Sequence, residues 1–397
     1  MPALVLFVSH TAELNGAERM LLQTLRALDR RSFTPLLVVP RPGPLAVEAE
    51  GAGVPASIVP MRWWLTDGRR AWKQPLAWLW NLPGVFRLKK LIEDKGAELV
   101  CSNSAAAVGG ALAARLARRP HVWIIHEILS GPNPLLSFFL GNKRLVRIMR
   151  RWSRRVVANS QASARAFQDS GAVDVVYNGV SLPRRQRARD VGLARKLGLK
   201  KGDRVVGVVG KLIPEKGQLE LVRAVGLAGL RLKNLKLLLV GAAADPAYLA
   251  DIHREIRCLG LEQRVAAVGY VEDVFSALSL MDVLVSASRV ESFGRTVVEA
   301  MAAGVPVLAI RTGGLAEVVQ QGKNGFLIEG GSPELLAEAI EKFFALKASA
   351  VASFIRAGRR TVAERFRIEP QVRKLERIFG EALKEAGKAG KERPVRG

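Results

Sequence analysis

Ser286 to Gly314 reads SASRVESFGRTVVEAMAAGVPVLAIRTGG, and the change of pattern within it decides the fold. The preceding run, Asp282 to Ser286 (DVLVS), is short, apolar and closed by small polar residues, which predicts a buried strand. Arg295 to Ala303 then holds good helix formers and is stopped by Gly304. Val305 to Ile310 (VPVLAI) is a second buried strand. Strand, loop, helix, strand is the repeating unit of a parallel sheet, and the loop after each strand lies at the carboxyl edge, where ligands bind.

The chemistry at that edge can be read from the residue types. Ser292, Phe293 and Gly294 bring the chain to a helix start at Arg295 and Thr296, where unpaired backbone N–H groups and the helix dipole favour an anion. Gly294 lets the main chain approach a phosphate closely. Glu291 lies in the loop and Glu299 on the second turn of the helix. Carboxylates so placed repel phosphate but accept hydrogen bonds from sugar hydroxyls, so the pair fits a nucleotide sugar. Glu-x7-Glu alone is a weak signal. Within ESFGRTVVEAMAAGVPV, followed by TGG and NGFLI, it closely resembles the family-four retaining glycosyltransferases (glycosyl transferases group 1), which have the GT-B fold.

The composition permits that architecture. A chain of 397 residues with 49% hydrophobic and 24% charged residues can build two full cores. Two cysteines, Cys101 and Cys258, exclude a disulfide scaffold and fit a reducing compartment. The only apolar run at the N-terminus, Ala3 to Val8, is too short for a signal sequence and is read as strand one. No run is long enough to span a membrane. A net charge of +25 points to anionic partners: nucleic acid, acidic lipid or a phosphorylated substrate.

Leu4–Ser9, Leu36–Val39, Glu98–Ser102, Val122–His126, Val156–Asn159 and Val175–Tyr177 are the strands expected in the first half. Asn15-Gly16 is a turn before a helix; it is either a surface turn or a place where backbone meets phosphate, and it resembles the glycine loop of the family. Met61 to Leu91 carries Trp63, Trp64, Trp72, Trp78 and Trp80 among basic residues such as Arg69 and Arg70. Tryptophan with basic residues suits a membrane interface, or else a packed helical pair with a basic rim; Pro75, Pro83 and Gly84 are expected to interrupt a long helix. His126 and Glu127 follow strand VWIIH as a polar pair at a carboxyl end. His126 matches a family histidine near the transferred sugar, against the alternative of a satisfied structural histidine. Glu127 is a base or an acceptor-binding group. Lys143 to Arg155 reads as a basic amphipathic helix with Arg147, Arg151 and Arg154 on one face, suited to anionic lipid or an acceptor's diphosphate.

The second half repeats the rhythm at Arg204–Val209, Leu235–Val240 and Val265–Val268. Strand VVGVVG runs into Lys211-Leu-Ile-Pro-Glu-Lys216-Gly217, and two lysines around that turn can reach one diphosphate. The family has two basic residues here. Arginine is commoner where Lys211 stands, so this chain keeps the charge without the two-pronged grip of a guanidinium. Gly269-Tyr270-Val271 resembles the segment along the nucleotide base.

The resemblance implies two doubly wound parallel-sheet, Rossmann-like domains facing a cleft: residues 1–182 for the acceptor, a linker at 183–202, residues 203–365 for the nucleotide sugar, a helix at 366–386 crossing back, and a frayed tail at 387–397. It implies retaining transfer of a hexose without a cofactor or metal, the nucleotide-diphosphate sugar being co-substrate. Lys211 and Lys216 would neutralise the leaving diphosphate, Glu299 hold ribose, Glu291 hold the donor sugar, Gly16 close on the diphosphate and His126 meet sugar or acceptor. The expected acceptor is a lipid-linked saccharide in polysaccharide or lipopolysaccharide synthesis, met by a cytoplasmic protein peripheral on the inner membrane face. Rival readings are an epimerase or sugar phosphorylase of the same fold and a basic nucleic-acid-binding protein. The last lacks any nucleic-acid-binding motif, and no nucleic acid is expected as partner.

Overall fold

The computed structural model describes residues 1–65, 74–131, 136–182 and 188–391. The chain divides into two compact units, Met1–Gly179 with Ile368–Gly397, and Val180–Arg367.

In unit 1 the strands are β1 (Ala3–Ser9), β2 (Phe33–Val39), β3 (Ala56–Ile58), β4 (Leu99–Asn103), β5 (His121–Ile125), β6 (Arg155–Ala158) and β7 (Asp174–Val175). Its helices are α1 (Gly16–Ala27), α2 (Pro44–Gly51), α3 (Gln74–Lys95), α4 (Val108–Leu116), α5 (Asn142–Trp152) and α6 (Gln161–Ala164). The seven strands are ordered β3-β2-β1-β4-β5-β6-β7, with parallel pairing. Strand order reverses between β1 and β4, which opens a crevice outside their carboxyl ends. Alternate residues of β1 feed the two faces: Val5 and Phe7 pack under α1 and α2, whereas Leu6 and Val8 pack under α3 and α4. The last helix, α15 (Ile368–Lys391), belongs to this unit: Val372, Leu375, Ile378 and Phe379 complete the α1 side of its core.

Unit 2 contains β8 (Arg204–Val209), β9 (Leu235–Val240), β10 (Val265–Gly269), β11 (Val283–Ser286), β12 (Val307–Ile310) and β13 (Phe326–Ile328). Its helices are α7 (Val191–Lys196), α8 (Gln218–Ala228), α9 (Pro246–Cys258), α10 (Val274–Leu278), α11 (Arg295–Ala303), α12 (Leu315–Val318), α13 (Pro333–Phe344) and α14 (Ala348–Arg365). The six-stranded order β10-β9-β8-β11-β12-β13 reverses between β8 and β11. The strands are near-continuous apolar runs because helices cover both faces. Side chains of Asp245, Asp273 and Ser332 cap α9, α10 and α13, satisfying N–H groups that the helices leave open.

Three neighbouring strands of unit 2 end in Val-Gly: Val209-Gly210, Val240-Gly241 and Val268-Gly269. Gly241 N–H donates to Gly269 O at 2.8 Å, and a Cβ at Gly241 would stand 1.9 Å from Gly210 O. Its φ of +148° also disfavours any side chain. Gly241→Ala should therefore destabilise unit 2 by about 3 kcal/mol. A lower denaturant midpoint reads this directly; an unchanged midpoint would mean that the strand ends can part freely.

Three boundaries differ from expectation. Residues 188–202 are part of unit 2, not linker: Asp190 caps α7, its N–H donates to Ser279 Oγ at 3.1 Å, and Ala194 is buried; 183–187 lie outside the described residues. The last helix runs on to Lys391, past the expected 386, so the tail at 387–391 is helical. α3 passes through Pro83 without a break. Leu79 and Pro83 both face solvent, so the carbonyl that loses its donor can be hydrated. Among the described residues, no helix is long and apolar enough to cross a membrane.

Candidate functional site

The loops after β8 and β11 emerge side by side at the reversal point of unit 2, because these strands are neighbours. After β8 comes a 3-10 turn, Pro214–Lys216, then Gly217 with φ +68°. A Cβ on Gly217 would meet Ala287 O at 2.3 Å, so only glycine lets the two loops touch. Arg289 N–H donates to Glu215 O at 2.8 Å and fixes that contact. The loop after β12 locks on from the other side: Gly314 N–H donates to Glu291 O at 2.9 Å, and a Cβ there would meet Ser292 O at 2.3 Å.

This framework sets the charged groups. Lys216 folds back over Gly210 and its Nζ lies 2.6 Å from Glu291 Oε2. Gly294, at φ +92°, turns the chain into α11, and Gly304, at φ +82°, ends the helix. The helix start thus carries no side chain at its N-cap, and Glu291 packs beside it. Arg295 Nε donates to Glu299 Oε1 at 2.8 Å along one helical turn, and Glu299 is only 8% exposed. Thr296 is half-buried on the first turn of α11. Lys211, just past β8, is exposed, while its carbonyl accepts from Gln218 Nε2 at 2.8 Å. Lys216 and Glu291 are in direct contact with Gly294 beside Glu291, Arg295 and Glu299 form a second pair, and Lys211 stands at the end of the strand over which Lys216 folds. Phe293 differs from expectation: it is 1% exposed with its ring 5.4 Å from that of Phe366, so its side chain is core and only its backbone faces the loop.

Unit 1 has its own polar cluster at the reversal point of β1 and β4. His10 follows β1, and its Nδ1 lies 3.4 Å from Glu18 Oε1, a carboxylate buried on the first turns of α1. His126 Nε2 lies 2.8 Å from Oδ1 of Asn103, the last residue of β4. His126 Nδ1 is buried without a hydrogen-bond partner among the described residues. Burial, reinforced by nearby His10, pushes the His126 pKa down to about 3, so the ring is neutral. Glu127 accepts from Ser104 Oγ, from Ala105 N–H at 3.0 Å and from His126 N–H at 3.0 Å. Burial raises its pKa while those donors oppose the rise. Its carboxylate holds the β4 and β5 loops together. Gly16 opens α1 with nothing within 4 Å of where a Cβ would be, so packing within the protein does not demand glycine there.

The sequence reading did not single out His10, Glu18 or Asn103. His10 carries the same signal as His126, a polar residue directly after an apolar strand.

The tryptophan and basic segments separate. Trp64 is 0% exposed, stacked 6.2 Å from Trp123, with its indole N–H donating to Ala105 O at 2.7 Å. It is core and is not available to lipid. Trp63 is half-exposed; its indole donates to His10 O at 2.9 Å and its ring lies 5.0 Å from the His10 ring. Arg69 and Arg70 lie outside the described residues. α5 ends at Trp152, where Ser153 turns extended. Arg154 therefore leaves the helical face and sits 3.9 Å from Glu385, and Arg155 opens β6, paired with Asp174 and Glu381. Arg147 and Arg151 remain exposed on α5. Among the described residues no cluster of His, Cys, Asp and Glu could hold a metal.

Comparison with known proteins agrees with this geometry. The model of "Glycosyl transferases group 1" matches residues 193–361, and that of "Glycosyltransferase Family 4" matches residues 14–184. A D-inositol 3-phosphate glycosyltransferase of Corynebacterium efficiens is 32% identical over 181 residues, 43% of this chain and 42% of that protein. The first curated relatives are thus matched over less than half their length. A 2-deoxystreptamine glucosyltransferase of Streptomyces kanamyceticus is 29% identical over 276 residues, 66% of this chain and 70% of that one. The Anabaena protein HepE, solved in complex with UDP, superposes with a TM-score of 0.80 at 28% identity, covering 96% of this chain and 100% of its own. Its complex with UDP-glucose superposes equally, at 27% identity, covering 95% and 99%. Two reversed parallel sheets, glycine-locked loops at the carboxyl edge of the second and matches along both halves lead to one assignment: the chain belongs to the group 1, family 4 glycosyltransferases and has the GT-B fold.

Proposed function

We propose that this glycosyltransferase moves a hexose, with retention at the anomeric carbon, from a nucleoside-diphosphate sugar to a lipid-linked saccharide. The observation that carries the donor half is the meeting of Lys216, Glu291 and the bare helix start at Gly294. An ammonium and open N–H groups suit a diphosphate, while carboxylates beside them suit sugar hydroxyls. HepE binds UDP and UDP-glucose, which makes a uridine nucleotide the first donor to try.

In this reading the diphosphate lies against Lys211, Lys216 and the N–H groups of Gly294, Arg295 and Thr296, which neutralise its growing charge without a resident metal. Glu291 accepts from donor-sugar hydroxyls and Glu299 from ribose, its second oxygen remaining with Arg295. The bond from the anomeric carbon to the diphosphate oxygen breaks, the acceptor oxygen bonds to the same face of that carbon, and the acceptor proton passes to the leaving phosphate. In unit 1, the unpartnered Nδ1 of His126 takes a sugar or acceptor hydroxyl, because a buried acceptor is satisfied by a ligand donor. The acceptor is bound at the inner face of a membrane by a peripheral, cytoplasmic protein.

A screen of UDP-, GDP- and ADP-hexoses by thermal denaturation tests the donor half. The true donor at a hundredfold excess over its Kd should add about 2.7 kcal/mol of stability. Labelled donor is then offered with and without lipid-linked saccharide, and the product anomer is read by NMR. An inverted product, a donor epimerised without transfer, or no stabilising nucleotide sugar would each overturn the proposal.

A further inference from the structure

We infer that the outward face of α3 docks unit 1 onto an anionic lipid bilayer. The inference rests on the lipid-linked acceptor reading and gives it a surface.

The inward side of α3 is ordinary core: Val85, Leu88 and Ile92 are buried against Leu6, Val8 and Val100. The outward side is not an ordinary surface. Leu79 is 64% exposed, Trp80 62%, Leu82 46% and Phe86 58%. At 100° per residue, Leu82, Phe86, Leu79 and Pro83 fall within an arc of about 100°, a continuous apolar stripe. Four large apolar side chains on one exposed helix face mark an interaction site, where scattered single ones would not. Exposed Arg87 and Lys90 share that side, and the Arg62 guanidinium sits 4.5 Å over the Trp80 ring. The acids Glu93 and Asp94 come only in the last turns.

Charge decides the occupant. α4 packs between α3 and α5 in the same helical layer, so α5, with Lys143, Arg144, Arg147 and Arg151 exposed, lies one helix away on the same side of the sheet. Four basic side chains of α5 (Lys143, Arg147, Arg150 and Arg151) line a groove of about 560 Å³ with Asp169. A second copy carrying the same +25 would be repelled. An anionic bilayer satisfies both halves, since apolar side chains enter the acyl boundary while arginine and lysine meet headgroups. Tryptophan is most at home at that depth.

The surface is tied to the strand-edge cluster. Asn81, 3% exposed, clamps the peptide of Arg62, accepting from its N–H at 2.6 Å and donating to its carbonyl at 2.9 Å. The next residue, Trp63, donates to His10 O. A bilayer on α3 therefore fixes the distance at which a lipid-linked sugar meets His10 and His126.

The test is flotation of the full chain with vesicles of phosphatidylglycerol and phosphatidylcholine against vesicles of phosphatidylcholine alone. The anionic vesicles should bind, salt should weaken binding, and Leu79→Ser with Phe86→Ser, or Arg87→Glu with Lys90→Glu, should each weaken it about tenfold or more. All four residues are exposed, so folding is spared, as a thermal melt would check. Absence of binding, or binding that neither pair alters, overturns the inference. A wild-type dimer that the Leu79→Ser, Phe86→Ser pair dissociates gives the face to a second copy and also overturns it. Thermal stabilisation by UDP-glucose is read in the same samples: if it persists while docking fails, the donor assignment stands and only the surface falls.

Discussion

Lys216→Ala is expected to lower kcat/KM for donor turnover by about two orders of magnitude or more. The substitution does two kinds of damage. On the proposed reading it removes the ammonium that would face the leaving diphosphate, and it strands Glu291, whose carboxylate lies 2.6 Å from that ammonium and would then repel the phosphate alone. Glu299→Ala should cost a similar factor by a different route, because Arg295 loses the carboxylate that holds it at 2.8 Å and, on the proposed reading, the ribose would lose its acceptor. Pairing Lys216→Ala with Glu291→Gln separates the two kinds of damage. If repulsion contributes, the double variant recovers part of the loss and the cycle shows a coupling of about 0.5–3 kcal/mol. Near-normal turnover in both Lys216→Ala and Glu299→Ala would remove this site assignment.

Stability should fall by about 4 kcal/mol between pH 7 and pH 5 through two histidines of unit 1. Burial pushes His121 and His126 each down to about 3, against an ordinary value near 6.5. His121 is 2% exposed, held between Ser102 Oγ and Ser153 Oγ at 2.9 Å each, and a charge on its ring would be cut off from water. Below pH 6.5 the unfolded chain takes up protons that the native rings refuse. The stabilisation is therefore complete above pH 6.5 and is lost as pH falls from there toward 3. Urea midpoints at intervals from pH 7 to pH 5 measure the slope. Replacing either histidine by asparagine should about halve it, whatever the variant's own stability. A flat profile would show that the rings are protonated in the native state.

The loops after β8, β11 and β12 were legible in the sequence because their shape demands unusual residues. Gly217, Gly294 and Gly314 stand where a Cβ would strike a neighbouring loop or where φ is positive, and charges set between such glycines have few conformations. The tryptophan segment was not legible in this way. A tryptophan among arginines has the same local sequence whether it meets lipid or core, and Trp64 is decided by Ala105 O and the Trp123 ring, far along the chain. Placing Arg154 on the α5 face assumes continuing helix, whereas pairing of Arg155 with Val122 draws the chain into β6. Glu18, Asn103 and His10 come from separate elements, and only the strand order of unit 1 makes them neighbours.

The position of α15 has a consequence for biosynthesis. Phe379 sits at 0% exposure with its ring 5.9 Å from Phe7 and 5.8 Å from Phe33, so β1 and β2 are sealed by α15, which is made after the whole of unit 2. Val180–Arg367 is contiguous and can mature while translation continues. The sheet of unit 1 must wait with its apolar flank open until α15 has been made, and that interval is when a nascent-chain chaperone would find it.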